Sequence, residues 1–132
     1  MDMEYEKLIE LAKAAREKAY VPYSHFKVGA CVLTENGKIY EGCNIENASY
    51  SLTNCAERTA LFNAYSNGDT KIKAIAVVAD TEKPIPPCGA CRQVMLELGG
   101  GELTVILSNM KGDFKVTTAK ELLPGAFSSS DL

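Results

Sequence analysis

Three of the chain's five cysteines fall in two short runs, Cys55-Ala56-Glu57 and Pro87-Cys88-Gly89-Ala90-Cys91, and each run opens a stretch of helical composition. A fold that uses these thiols together must bring two helix N-termini to one point, a strong constraint on a chain of 132 residues. At a helix N-terminus the free backbone amides and the macrodipole favour the thiolate by roughly 0.3 to 1 kcal/mol per site, and thiolate is the form that binds metal. Two residues between Cys88 and Cys91 let both sulfurs turn toward one ion, and Cys55 can join them from the other helix. The pattern reads as a three-thiolate zinc site.

The rest of the chain supplies a scaffold for that meeting. Glu4 to Tyr20 places Leu8, Leu11, Ala12, Ala15 and Ala19 at three- and four-residue spacings, which predicts an amphipathic helix stopped by Pro22. Phe26 to Leu33 and Lys38 to Cys43 read as two antiparallel strands, joined through Glu35-Asn36-Gly37, whose Asn-Gly pair suits a tight hairpin. A second helix is expected from about Cys55 to Ser66, ended by Asn67-Gly68, and a third from Cys88 to Leu98, ended by three glycines. The apolar runs Lys73 to Ala79 and Leu103 to Leu107 read as buried strands, and Asp113 to Thr117 as a fifth, before a short helix near Thr118 to Leu123. Alternation of this kind implies an α/β fold, a mixed sheet with helices packed on it. A polar tail, Ser128 to Asp131, is the one biased segment, and the length predicts a single domain over residues 1–132.

Composition excludes several classes of partner. A formal charge of −3 gives no basic footprint for a phosphate backbone, so no nucleic-acid partner is expected. No apolar run approaches the roughly 20 residues that span a bilayer, so no membrane partner is expected either. Met1 to Tyr20 is charged and helix-periodic rather than a signal peptide, which predicts a cytoplasmic protein. Reducing cytosol keeps thiols free, and an odd number of cysteines makes disulfides a poor account of them. Cys31 and Cys43 lie in strand-like segments and read as buried thiols, and His25 as a loop residue near the site entrance.

Three protein ligands leave one tetrahedral position open to water, the mark of a catalytic rather than a structural zinc. Glu57 follows Cys55 by two residues, close enough to take a proton from that water without being a ligand. Zinc at +2 with three thiolates at −3 leaves the site net negative, which opposes deprotonation of water. A guanidinium at Arg58, hydrogen-bonded to the thiolates, would offset that charge, and Arg92 is a second candidate for the same task. Two other readings stay open on these residues alone. Cys88-x-x-Cys91 is also a spacing for a redox pair, and a metal in this place can be purely structural, although no fourth ligand accompanies the trio.

The sequence resembles the small, homotetrameric class of zinc-dependent cytidine deaminases. The matching segments are Pro22-Tyr23-Ser24, Gly42-Cys43-Asn44-Ile45-Glu46-Asn47, Cys55 to Ala60, Pro87 to Gln93 and Leu122-Leu123-Pro124-Gly125-Ala126-Phe127, which together span nearly the whole chain. That resemblance implies a five-stranded mixed sheet with helices on both faces, and hydrolysis of free cytidine or deoxycytidine in pyrimidine salvage. It implies zinc on Cys55, Cys88 and Cys91, with Glu57 carrying protons from water to ring N3 and then to the leaving amine. Among substrate contacts it implies Asn44 and Glu46 on the ribose, Ala56 beside the catalytic glutamate, and Phe26 packed on the pyrimidine. Phe127 would reach a neighbouring subunit's site, so the tetramer would share its sites. Taken singly, Phe26 and Phe127 also suit a core, Asn44 a turn and Glu46 a solvated surface. Within the same chemistry a blasticidin-type deaminase is the alternative, which the Asn-Ile-Glu-Asn run after Cys43 disfavours. A non-catalytic module stabilised by zinc is the alternative outside it.

Overall fold

A central strand with no room for large side chains on one face organises the architecture. In a computed structural model, which describes residues 3–132, β3 (Ile72–Ala79) is buried along nearly its whole length. Met1 and Asp2, the start of the charged N-terminal segment, lie outside the described residues. Successive side chains of a strand point to opposite faces, so Ala74, Ala76 and Val78 of β3 share one face and Ile75, Val77 and Ala79 the other. The first face meets α1 (Met3–Arg16) through Leu8, Ile9 and Ala12, together with Cys31, Leu33 and Ile106. The second packs against α2 (Ala56–Ser66) and α3 (Gly89–Gly99) through Ala60, Leu61, Ala64 and Met95.

The five strands run in the order β2-β1-β3-β4-β5, with β1 at Val28–Thr34, β2 at Ile39–Cys43, β4 at Thr104–Asn109 and β5 at Phe114–Thr118. β3 and β4 are parallel, joined by the crossover through α3, and the other neighbours are antiparallel. A short α4 (Ala119–Leu122) follows β5, capped by the Thr118 side chain. The mixed five-stranded sheet with helices on both faces is therefore present as expected.

Three local expectations differ. β1 begins at Val28 rather than Phe26, because Phe26 lies in the preceding loop, where its carbonyl accepts from Asn44 Nδ2. α1 stops at Arg16 rather than Tyr20, because Tyr20 leaves the helix to pair with Ile45: its N–H donates to Asn44 O at 3.0 Å, and its carbonyl accepts from Glu46 N at 2.9 Å. The hairpin between β1 and β2 has a three-residue loop in which Gly37 alone takes a positive φ, 85°, while Asn36 does not. Gly37 N donates to Thr34 O and Thr34 N to Lys38 O, the pattern of a type I turn closed by a left-handed glycine. The polar tail closes in a 3-10 turn, Ser129–Asp131, with Ser128 N donating to Asp131 Oδ2.

One close approach positions the site. A Cβ on Gly42 of β2 would sit 2.3 Å from Ala60 N and 2.7 Å from Ala56 O, so α2 lies with its backbone against the strand. That contact sets the height of the Cys55 end of α2 above the sheet.

Candidate metal centre and active site

Cys55 and Cys88 each occupy the N-cap of a helix, with extended backbone just before α2 and α3. Cys91 lies in the first turn of α3, where its N–H donates to Cys88 Sγ at 3.4 Å. The three sulfurs all lie within 4.8 Å of one another, and Cys55 Sγ is 3.8 Å from Cys88 Sγ. Tetrahedral zinc with Zn–S bonds of about 2.3 Å requires sulfurs about 3.8 Å apart. The donor set fits zinc, with the third sulfur needing at most a short shift, and it is the one such cluster among the described residues.

The protonation of the thiols points the same way. Cys55 is pulled down to about 5 by hydrogen bonds from the Cys91 thiol, from Arg58 and from Cys88, against the cost of burial. Cys91 moves in the opposite direction, because the neighbouring Cys55 thiolate, burial and the Glu57 carboxylate all disfavour a second negative charge. Two like charges this close need a cation between them. Arg58 supplies part of it: its Nη2 donates to Cys55 Sγ at 3.3 Å, and the two nearby thiols raise its own pKa further. Arg58 Nε is buried with no hydrogen-bond partner among the described residues.

Glu57 is buried at 5% exposure, and burial pushes its carboxyl above the usual carboxylate range. An acid raised toward neutrality is suited to moving protons in both directions. Its cavity, about 210 Å³, is lined by Phe26, Val28, Asn44, Thr53, Cys55, Ala56, Glu57, Ile85, Pro86 and Cys88. Larger clefts lie at the β1–β2 hairpin and along the edge of β2, but neither includes any of the three clustered cysteines or Glu57. The smaller cavity is the one that joins an aromatic ring, an amide, a buried acid and two of the clustered thiols.

The structure brings most of the sequence-derived residues together and sets others apart. Phe26, Asn44, Ala56, Glu57, Cys55 and Cys88 share the cavity. Asn44 spends its amide on the backbone ahead of β1, with Nδ2 donating to Phe26 O at 2.7 Å and Oδ1 accepting from Val28 N at 2.9 Å. Glu46 is buried rather than a solvated surface charge and is not among the residues lining this cavity; its carboxylate accepts from the Tyr23 and Ser24 amides. Phe127 is 61% exposed and does not line this cavity; its carbonyl accepts from Gln93 Nε2 at 2.9 Å. Arg92 does not touch the thiols' hydrogen bonds: its Nε donates to Pro87 O and its Nη1 to Leu122 O, both at 2.9 Å, which ties the loop before Cys88 to α4. Cys31 is buried and inert, its thiol pushed up to about 12 by burial and Glu41, and Cys43 is half-buried. His25 lies in the loop beside Glu46.

Sequence reading missed Val28, Thr53, Ile85 and Pro86 as lining residues. Ile85 carried a signal, an apolar residue in a proline-rich loop, and it is buried against the cavity with its N–H on Ser108 O.

Comparison with known proteins agrees with the geometry. Residues 2–107 match the family model described as the cytidine and deoxycytidylate deaminase zinc-binding region. The chain is 62% identical to a cytidine deaminase of Sporosarcina psychrophila, over 98% of this chain and 96% of that protein. It is 59% identical to one from Halalkalibacterium halodurans, over 98% of each. Among solved structures, a cytidine deaminase from Burkholderia pseudomallei superposes with a TM-score of 0.92 at 62% identity, covering 93% of this chain and 98% of that one.

Proposed function

This chain belongs to the cytidine deaminase family, and from that premise we propose the roles of its residues in hydrolysing cytidine to uridine and ammonia. It is a zinc-dependent hydrolase acting on a nucleoside. The observation that carries the assignment is the meeting of three thiols and the buried Glu57 at one cavity wall. Cys55, Cys88 and Cys91 would hold the zinc, which would supply a Lewis acid that brings the pKa of water toward neutrality.

The chain's own groups do the rest. The Glu57 carboxylate takes a proton from the attacking water and delivers it to ring N3, as the water oxygen bonds to C4. It then takes the remaining hydroxyl proton to the exocyclic nitrogen. The C4–N bond breaks, the C4 carbonyl forms, and ammonia leaves. Phe26 packs on the pyrimidine face and the Ala56 backbone lies beside the reacting edge. Asn44 and Glu46 hold the sugar, because amide and carboxylate groups satisfy hydroxyls and a carboxylate repels a phosphate. Arg58 draws charge from the Cys55 sulfur and keeps water acidic enough to react.

Residues 1–132 act as one deaminase domain, and deoxycytidine is a second substrate. The protein works in the cytoplasm, and among the described residues no helix is long and apolar enough to cross a membrane. It assembles as a homotetramer with shared sites. Support comes from Phe127, exposed and outside its own cavity, and from the exposed Tyr20, Tyr23, Tyr50 and Leu52, apolar surface of the kind that interfaces cover.

The test is the ultraviolet absorbance change of cytidine mixed with the purified protein, beside the same protein stripped of metal by a chelator. Metal-dependent conversion to uridine is the expected result. Full zinc occupancy in folded protein with no conversion would move the assignment to a different amino-heterocycle, and then to a structural zinc.

A further inference from the structure

Residues 23–26 belong to no helix or strand, yet Phe26 must hold its ring at the cavity. His25 takes a φ of 58°, the one positive value outside glycine among the described residues. A left-handed histidine costs free energy and persists only where its surroundings over-determine it.

The surroundings here are two side chains from one segment. Glu46 Oε1 accepts from Tyr23 N at 3.0 Å and from Ser24 N at 3.1 Å, and Oε2 accepts from the Ser24 hydroxyl. The Ser24 oxygen in turn accepts from Phe26 N at 3.0 Å. Since an amide can only donate and a carboxylate can only accept, the direction of both bonds at this hydroxyl is fixed. On the far side, the Phe26 carbonyl is held by Asn44. The Ser24 hydroxyl and, to a smaller degree, the Ser24 and Tyr23 amides keep the Glu46 carboxyl below the usual range against the effect of burial, so the acceptor stays charged near neutral pH.

We propose that Ser24 is a positioning residue for the deamination: its hydroxyl joins the Glu46 carboxylate to the Phe26 backbone and thereby sets the aromatic ring against which the base packs. The inference rests on reading the cavity as the cytidine site. Through this hydroxyl Glu46, assigned to the sugar, is linked to Phe26, assigned to the base, beside the direct bond from Asn44 to the Phe26 carbonyl. Ser24 itself lies outside the cavity lining, so its contribution is to substrate binding through Phe26 and not to proton transfer.

The experiment is steady-state hydrolysis of cytidine by the zinc-loaded enzyme and by Ser24→Ala, Ser24→Thr, Phe26→Ala and the Ser24→Ala/Phe26→Ala double variant. Ser24→Ala should raise KM roughly five- to tenfold, the size of one lost hydrogen bond, with kcat within about twofold. Ser24→Thr keeps the hydroxyl and should restore KM. If Ser24 acts through Phe26, the double variant should be no worse than Phe26→Ala alone. A wild-type KM in Ser24→Ala, or effects that multiply in the double variant, would overturn the proposal. Should Ser24→Ala not fold, Ser24→Val against Ser24→Thr makes the same comparison at equal bulk, and equal KM values there overturn it. Failure of the underlying reading is distinct: Phe26→Ala would then show the wild-type KM, or the wild-type enzyme no turnover.

Discussion

Arg58 Nη2 lies 3.3 Å from Cys55 Sγ, so the helical turn that supplies the first thiolate also supplies a cation against it. Removing that cation would leave the sulfur richer in electrons and a zinc held there a weaker acid. Arg58→Ala should retain zinc and lose roughly ten- to a hundredfold in kcat, the usual cost of a lost partner behind a metal ligand. In metal-free protein the Cys55 thiol should also titrate higher than about 5, read by thiolate absorbance. Wild-type turnover in the variant would remove Arg58 from its role.

Gly42 offers a test of the scaffold. An added Cβ would meet the backbone of Ala60 and Ala56, which cannot step aside as a side chain can. Gly42→Ala should lower stability by roughly 1–3 kcal/mol, or more, and reduce activity with it, because α2 carries Glu57 at its first turn. A melting temperature equal to wild type would show that α2 sits farther from β2 than the structure places it.

The pH dependence of stability follows from Glu46. Its carboxyl is held below 4.5, so its ionised form stabilises the fold at any pH above 4.5, and that contribution is lost as pH falls through the lowered value. Glu57, raised by burial, acts in the opposite sense but is present in both proteins when wild type is compared with Glu46→Gln. The difference in melting temperature between them should be constant above about pH 5 and shrink on acidification. A difference that grows toward acid would contradict the hydrogen bonds at Tyr23 and Ser24.

Much of this was legible in the residues themselves. The apolar runs of β3 and β4 and the glycine stop after α2 are local signals, and the structure repeats them closely. The meeting of Cys55 with Cys88 and Cys91 was legible because thiols at two helix starts suit a shared ion, although the Cys88-x-x-Cys91 spacing also fits a redox pair. What escaped was set by partners distant in sequence. Nothing near Tyr20 shows that Ile45 will capture it, and nothing in Asn36-Gly37 shows that glycine alone will turn left-handed. Arg92 sits beside the cysteines in sequence, yet its guanidinium faces the carbonyls of Pro87 and Leu122. The hydroxyl of Ser24 gains its meaning only once Glu46 lies beneath it.

Phe127 tests the assembly. If the tail completes a neighbouring site, Phe127→Ala should raise KM several-fold, roughly the effect of losing an aromatic packing partner, while the oligomer persists by light scattering. Unchanged kinetics in an intact oligomer would confine the tail to its own subunit.

The most direct measurement is made on Glu57→Gln, with zinc content, melting temperature and cytidine turnover determined on one preparation. The account predicts full zinc on the three cysteines, a folded protein and loss of nearly all turnover, since only the proton carrier is gone. Turnover close to wild type in the zinc-loaded variant would contradict it.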